Sequence, residues 1–160
     1  MGASGCGKTT IGMVLAARTG WRFIDADALH PPANLAKMSA GIPLTDADRW
    51  PWLRIVADWI AERRARGAAG IVGCSALKRS YRDVLREADP DLKLVYLHGD
   101  RTLLLARITA RRGHFFPAGL LEAQLADLQV PTPDEHPITI PIGQSPDEAV
   151  DAILRALEPQ

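Results

Sequence analysis

Apolar residues recur along this chain with two alternating periods. Lys8 to Thr19 carries Ile11, Val14 and Leu15 on one face and stops at Gly20, which predicts an amphipathic helix. Arg22-Phe23-Ile24-Asp25 is a short strand that ends in an acid. Trp50 to Arg66 reads as a helix with Leu53, Val56 and Ile60 in its stripe, Pro51 in its first turn and Gly67 just beyond it. Gly70 to Ser75 is a continuous apolar run and predicts a buried strand. Arg79 to Ala88 is helical and stops before Pro90, and Leu92 to His98 is the next strand. Two further helices, Arg101 to Arg112 and Pro117 to Leu128, precede a last strand at Ile138 to Ile142. Ser145-Pro146-Asp147-Glu148 opens a C-terminal helix with a capping box and proline at the first helical position.

Strands alternating with helices predict an α/β fold, a parallel sheet with helices on both faces. Ligands of such folds sit at the carboxyl ends of the strands. Asp25, Asp27, Ser75, Lys78 and Gly99 fall there. At 160 residues the chain makes one domain. Acidic and basic residues balance at 19 each, which argues against a nucleic-acid or membrane partner drawn by net charge. No apolar run is long enough to span a bilayer. Cys6 and Cys74 make neither a disulfide framework nor a metal cluster, so a reducing cytoplasm is the expected compartment.

The chemistry begins at the first glycine. Gly2-Ala3-Ser4-Gly5-Cys6-Gly7-Lys8-Thr9 has the spacing of a phosphate-binding loop, G-x-x-x-x-G-K-[ST]. Its glycines let backbone N–H groups turn toward a phosphate chain, and the helix that follows aims its positive end at the same anion. Lys8 can reach the β- and γ-phosphates, Thr9 can hold Mg²⁺, and Thr10 continues the phosphate-facing turn. The plainer alternative, a glycine-rich helix cap, does not account for Lys-Thr at this spacing. A buried strand leads into such loops, whereas only Met1 precedes Gly2 here. The expectation is that a functional form carries more apolar residues upstream. Without them the sheet would be destabilised and activity weak.

Asp25-Ala26-Asp27 follows the first strand, and two acids at this spacing can both serve phosphoryl transfer to a hydroxyl. Alone the pair is also an ordinary Asx-turn. From here the chain resembles the gluconate kinase family. The matching stretches are Asp25-Ala-Asp27-Ala-Leu-His30-Pro31-Pro-Ala-Asn34-Leu-Ala-Lys37-Met38 and Gly41-Ile-Pro43-Leu44-Thr-Asp46-Ala-Asp48-Arg49-Trp-Pro51-Trp52-Leu53. Further on come Cys74-Ser75-Ala76-Leu77-Lys78-Arg-Ser-Tyr81-Arg82-Asp83, Arg112-Gly113-His114-Phe115-Phe116 and Leu121-x-x-Gln124.

The resemblance implies a P-loop kinase of the nucleoside-monophosphate-kinase type that uses ATP and Mg²⁺ to phosphorylate the 6-hydroxyl of D-gluconate. It implies Lys8 and Thr9 on phosphates and Mg²⁺, Asp25 orienting the metal shell, and Asp27 as the base. His30, Asp48, Arg49, Lys78, Arg82 and His114 are the polar candidates around the sugar acid. An arginine such as Arg49 or Arg82 suits its carboxylate. Arg107, Arg111 and Arg112 resemble the lid of related kinases, with Arg107 against adenine and Arg111 or Arg112 closing over the transferring phosphoryl. Gln144, after the last strand, stands where related kinases pass the base. Residues from about 30 to 66 form the substrate-binding insertion, and about 107 to 118 the lid.

Two rivals remain open at this stage. A related kinase for shikimate or a nucleotide is opposed by His30-Pro31 and by Cys74 to Lys78. An ATP-binding form with little turnover is favoured by the missing strand. A homodimer is one assembly open to the chain, which does not reveal its oligomeric state. Cys6 and Cys74 are expected near one another, so that thiol oxidation inhibits and ATP protects.

Overall fold

The computed structural model describes residues 1–111 and 118–158. Seven helices and four strands alternate through them. They are α1 (Lys8–Thr19), β1 (Arg22–Asp25), α2 (Pro32–Ser39), α3 (Asp46–Ala65), β2 (Gly70–Gly73), α4 (Arg79–Ala88), β3 (Val95–His98), α5 (Arg101–Ala110), α6 (Ala118–Asp127), β4 (Ile138–Pro141) and α7 (Pro146–Leu157). Short 3₁₀ turns at Ala26–Leu29 and Pro133–Glu135 complete the path. Among the described residues no helix is long and apolar enough to cross a membrane.

Local capping chemistry sets most boundaries. α7 starts as expected, with Glu148 N–H donating to Ser145 Oγ and Ser145 N–H donating back to Glu148 Oε2. α3 begins four residues before the expected Trp50, because Thr45 and Asp48 form a second capping box. Pro51 therefore lies inside the helix. α2 was not foreseen; it starts at Pro32, a favoured first residue, and spans only eight positions.

The apolar faces build two cores. Ile11 and Leu15 of α1 pack with Leu97, Leu104, Ile140, Val150 and Ile153. Trp52, Leu53 and Val56 of α3 pack with Cys74, Tyr81 and Leu85. Cys6 and Cys74 are both buried free thiols. Burial pushes the Cys74 thiol up to about 12, so its thiolate is scarce at neutral pH and the redox sensitivity expected of the pair has no basis at this residue.

The strands are parallel, as expected, but among the described residues they do not form one sheet. β1 pairs with β2 in the register Arg22–Gly70 to Asp25–Gly73, and β3 pairs with β4 from Val95–Ile138 to His98–Pro141. An apolar cavity of about 330 Å³ separates the pairs, lined by Ile11, Leu15, Ile71, Val72, Val95 and Leu97 among others. Met1 and Gly2 join the pairs at one end. The Met1 amine donates to Val95 O at 2.5 Å, Leu97 N–H donates to Met1 O at 3.0 Å, and Gly2 N–H donates to Ser75 O at 3.2 Å. Burial lowers the pKa of that amine to about 6.

Apart from the groups of β3 that Met1 engages, backbone groups on the facing edges of β2 and β3 have no strand partner among the described residues, and the side chains around them are mostly apolar. A five-residue strand laid between two neighbours makes on the order of ten backbone hydrogen bonds, each worth roughly 0.5–1.5 kcal/mol net. A chain carrying five β-branched residues ahead of Met1 is expected to melt about 10 °C higher than the 160-residue chain. Thermal unfolding of the two by circular dichroism checks this; coincident curves would show that the slot does not accept a strand.

Candidate active site

The loop from Gly2 to Gly7 is held between the strand ends and the start of α1. Gly7 caps the helix with φ 92° and ψ 20°, a left-handed conformation, and among the described residues no side chain caps the first N–H groups of α1. Gly5 has φ +84°, and a Cβ there would come within 2.9 Å of the Leu104 carbonyl. Both positions need glycine. The resulting concave backbone, with the helix N-terminus beneath it, is a receptor for phosphate. Lys8 Nζ donates to the loop's own carbonyls, Gly2 O at 2.9 Å and Ala3 O at 3.3 Å. Ser4 N–H donates to Gln124 Oε1 of α6 at 2.7 Å.

The end of β1 brings the acids to this loop. Thr9 Oγ donates to Asp25 Oδ2 at 2.6 Å, and Asp25 Oδ1 accepts the Asp27 N–H at 3.0 Å. Thr9 and Asp25 thus present two hard oxygens side by side. Mg²⁺ binds through one or two protein oxygens, waters and substrate phosphates, so this pair fits it. Among the described residues no cluster of three or more acid, histidine or cysteine side chains forms a denser metal cage. Asp27 is half open to the cleft, yet the surrounding protein displaces enough water to raise its pKa. Desolvation is the main cause, the Asp25 charge adds to it and Lys8 opposes it.

Thr9, Asp25 and Asp27 line a cleft of about 440 Å³ together with Ser4, Lys8, His30, Arg49, Arg111 and Gln124, with apolar residues such as Met38, Leu44 and Leu120 on its walls. Arg49 enters from α3. Its Nη1 donates to Tyr81 Oη at 3.0 Å and to Asp127 Oδ2 at 2.8 Å, which spends one nitrogen of the guanidinium and fixes its plane. Its Nε and Nη2 make no hydrogen bond among the described residues, so the fork retains donors for an anion. Tyr81, Asp127, Gln124 and Asn34 were missed as candidates. The signal for Tyr81, Gln124 and Asn34 lay in the motif stretches that carry the resemblance; Asp127 had none.

Other expected residues are placed elsewhere. Arg82 is not at the cleft. It is 2% exposed, forks onto Glu135 at 2.6 and 2.8 Å, and donates to the carbonyls of Ala76, Leu77 and Gln129. Every face of its guanidinium is engaged, so it ties α4 to the loop before β4. Asp48 is likewise committed. It closes the α3 capping box and accepts from Lys37 at 2.8 and 2.9 Å, contacts that hold its carboxyl down to about 2. Lys78 is held by Asp46 at 2.9 Å and lies 3.6 Å from Asp127, the acid that also fixes Arg49. Arg107 donates to the Ile142 carbonyl and lies beside Gly7. Gln144 is half-buried in the turn after β4. Arg112 and His114 lie outside the described residues.

His30 is buried and stacked on Trp52, ring centroids 4.2 Å apart. Burial, assisted by the Arg49 charge, lowers its pKa to about 4. The unfolded chain, with an ordinary histidine near 6.5, therefore binds the proton that the fold refuses. Stability from this group is complete above about 6.5 and is lost as pH falls toward about 4. Melting temperatures of the wild type are expected to fall across that window more steeply than those of His30→Phe. Parallel pH profiles would show that His30 titrates freely in the fold.

The comparisons with known proteins agree with this geometry. The family described as shikimate kinase matches residues 4–157. The gluconokinase of Gluconobacter oxydans (strain 621H) is 48% identical over 155 residues, covering 97% of this chain and 87% of that protein. A solved gluconokinase from Sinorhizobium meliloti 1021 is 46% identical with a TM-score of 0.89, covering 98% of this chain and 88% of that one. An unliganded sugar kinase from Janibacter sp. HTCC2649 is 48% identical with a TM-score of 0.91, covering 97% and 90%. The chain belongs to the shikimate kinase family of P-loop kinases and, within it, to the gluconokinases.

Proposed function

We propose that this chain transfers the γ-phosphoryl group of ATP to the 6-hydroxyl of D-gluconate, giving 6-phosphogluconate and ADP. The observation that carries the reading is the meeting, in one cleft, of the phosphate loop, the Thr9–Asp25 pair and an Asp27 whose proton affinity is raised. Family membership supplies the substrate. A coupled ADP-release assay across gluconate, shikimate and nucleoside monophosphates tests it: turnover with gluconate alone is expected, and turnover only with another acceptor would overturn it.

Loop N–H groups and Lys8 hold the β- and γ-phosphates, and Lys8 exchanges its loop carbonyls for them. Thr9 and Asp25 would hold Mg²⁺, which neutralises charge on the phosphates when bound. Asp27 takes the proton of the 6-hydroxyl as that oxygen forms its bond to the γ-phosphorus and the bond to the β-phosphate oxygen breaks. Its raised pKa suits a base of this kind, because proton affinity grows as the carboxylate is desolvated. Arg49 grips the gluconate carboxylate with the donors that Asp127 leaves it. Residues of about 30 to 66 serve as the substrate-binding insertion and about 107 to 118 as the lid, with Arg107 against adenine and Arg111 facing the transferring phosphoryl.

Asp27→Asn is expected to lower kcat about a hundredfold or more with little change in the KM for ATP, since an amide keeps the shape and cannot take the proton. Asp25→Asn is expected instead to raise the Mg²⁺ requirement. Titration of both variants with Mg²⁺ and ATP separates the roles, and exchanged phenotypes would reverse the assignment.

The two arginines part in the same way. Arg49→Lys is expected to raise the gluconate KM about tenfold and leave the ATP KM in place, because lysine lacks the planar fork. Arg82→Met is expected to leave the gluconate KM alone and to cost about 3–5 kcal/mol of stability, since it strands the buried Glu135. Steady-state kinetics beside urea unfolding decides between them; a shifted gluconate KM in soluble, folded Arg82→Met would return Arg82 to the acid site.

A further inference from the structure

Asn34 is 3% exposed on α2, and it does not line the cleft. Its Nδ2 group faces the Asp48 carbonyl at 2.9 Å and Nδ1 of His30 at 3.2 Å. A carbonyl only accepts, so the group facing Asp48 is the amide NH₂, which only donates. Nδ1 of His30 therefore accepts. A neutral imidazole carries one proton, and with Nδ1 accepting, that proton sits on Nε2. The ring is neutral because burial and the Arg49 charge disfavour a second proton.

Nε2 stands 3.9 Å from Oδ1 of Asp27, a gap that rotation of the half-open Asp27 side chain can close. The ring itself has little freedom. It lies 19° from the plane of Trp52, and the Trp52 indole N–H donates to the Ala26 carbonyl at 2.7 Å, one residue before Asp27. The opposite tautomer would aim a lone pair at the carboxylate and turn it away.

We propose that Asn34 and His30 form a positioning pair for Asp27: Asn34 fixes the Nε2–H tautomer, and that N–H sets the direction in which the carboxylate meets the acceptor hydroxyl. This rests on the reading of Asp27 as the base. It moves His30 from contacting the sugar acid to acting through Asp27, and it gives Asn34 a role beyond packing.

Two measurements on the full chain test it. In ¹H–¹⁵N spectra of the imidazoles at pH 7, assigned by the signal missing from His30→Gln, wild-type His30 is expected to carry its proton on Nε2. Asn34→Leu is expected to show a mixture. A proton on Nδ1 in the wild type overturns the inference whatever the kinetics. In steady-state assays His30→Leu is expected to lose about tenfold or more in kcat with less than about a twofold change in gluconate KM. His30→Gln, whose amide N–H reaches near the position of Nε2, is expected to restore at least about a third of the wild-type kcat at a melting temperature no higher than that of His30→Leu. Equal losses in the two variants, or a loss confined to KM, overturn it. Turnover retained by Asp27→Asn would overturn the base assignment itself and leave the tautomer result standing.

Discussion

Asp25 ties α1, β1 and the turn that carries Asp27 to one another. One carboxylate oxygen accepts from Thr9 on α1, and the other accepts the Asp27 N–H of the following turn. The first contact fixes the phosphate loop against β1; the second fixes where Asp27, and through the turn Ala26 and His30, leave the strand. The loop and the two acids therefore meet at a strand's carboxyl end, with the buried imidazole beside them. Charge-assisted hydrogen bonds of this kind are short and directional, which is what a site for in-line transfer requires.

Around that unit the charged side chains divide by how completely they are satisfied. Arg82 and Glu135 are paired, buried and fully hydrogen-bonded, and their place is architectural. Arg49 is also buried, but Asp127 and Tyr81 engage only part of it, and the remainder faces the cleft. The same residue type thus serves two ends, and the count of free donors distinguishes them. Asp127 holds Arg49 and lies near Lys78, so α6 positions Arg49 as well as touching the phosphate loop through Gln124. A movement of α6 would be felt at both halves of the cleft.

The two parallel strand pairs set a different constraint. α1 packs against both the β1–β2 side and α7, so it spans the apolar slot between the pairs. The phosphate loop sits at the end of that slot, where Met1 and Gly2 bond to β3 and to Ser75. The placement of the loop therefore depends on these backbone bonds of Met1 and Gly2.

Local patterns in the sequence determined a good deal. The order of helices and strands apart from α2, the phosphate loop with Lys8 and Thr9, the acids at Asp25 and Asp27, and the capping box at Ser145 all rest on residues within a few positions of one another. Their chemistry does not need distant neighbours. The motif stretches likewise named the family. What they did not decide is which polar side chain faces the cleft. Arg49 and Arg82 are indistinguishable along the chain, and only folding shows that Glu135, fifty-three positions after Arg82, consumes one of them while the other keeps free donors. Asp48 read as a sugar contact and became a helix cap, because the competing partner Lys37 comes from another helix. The tautomer of His30 belongs to the same class. Each depends on which groups meet across long separations, and burial, not sequence spacing, decides whether a donor is spent or available.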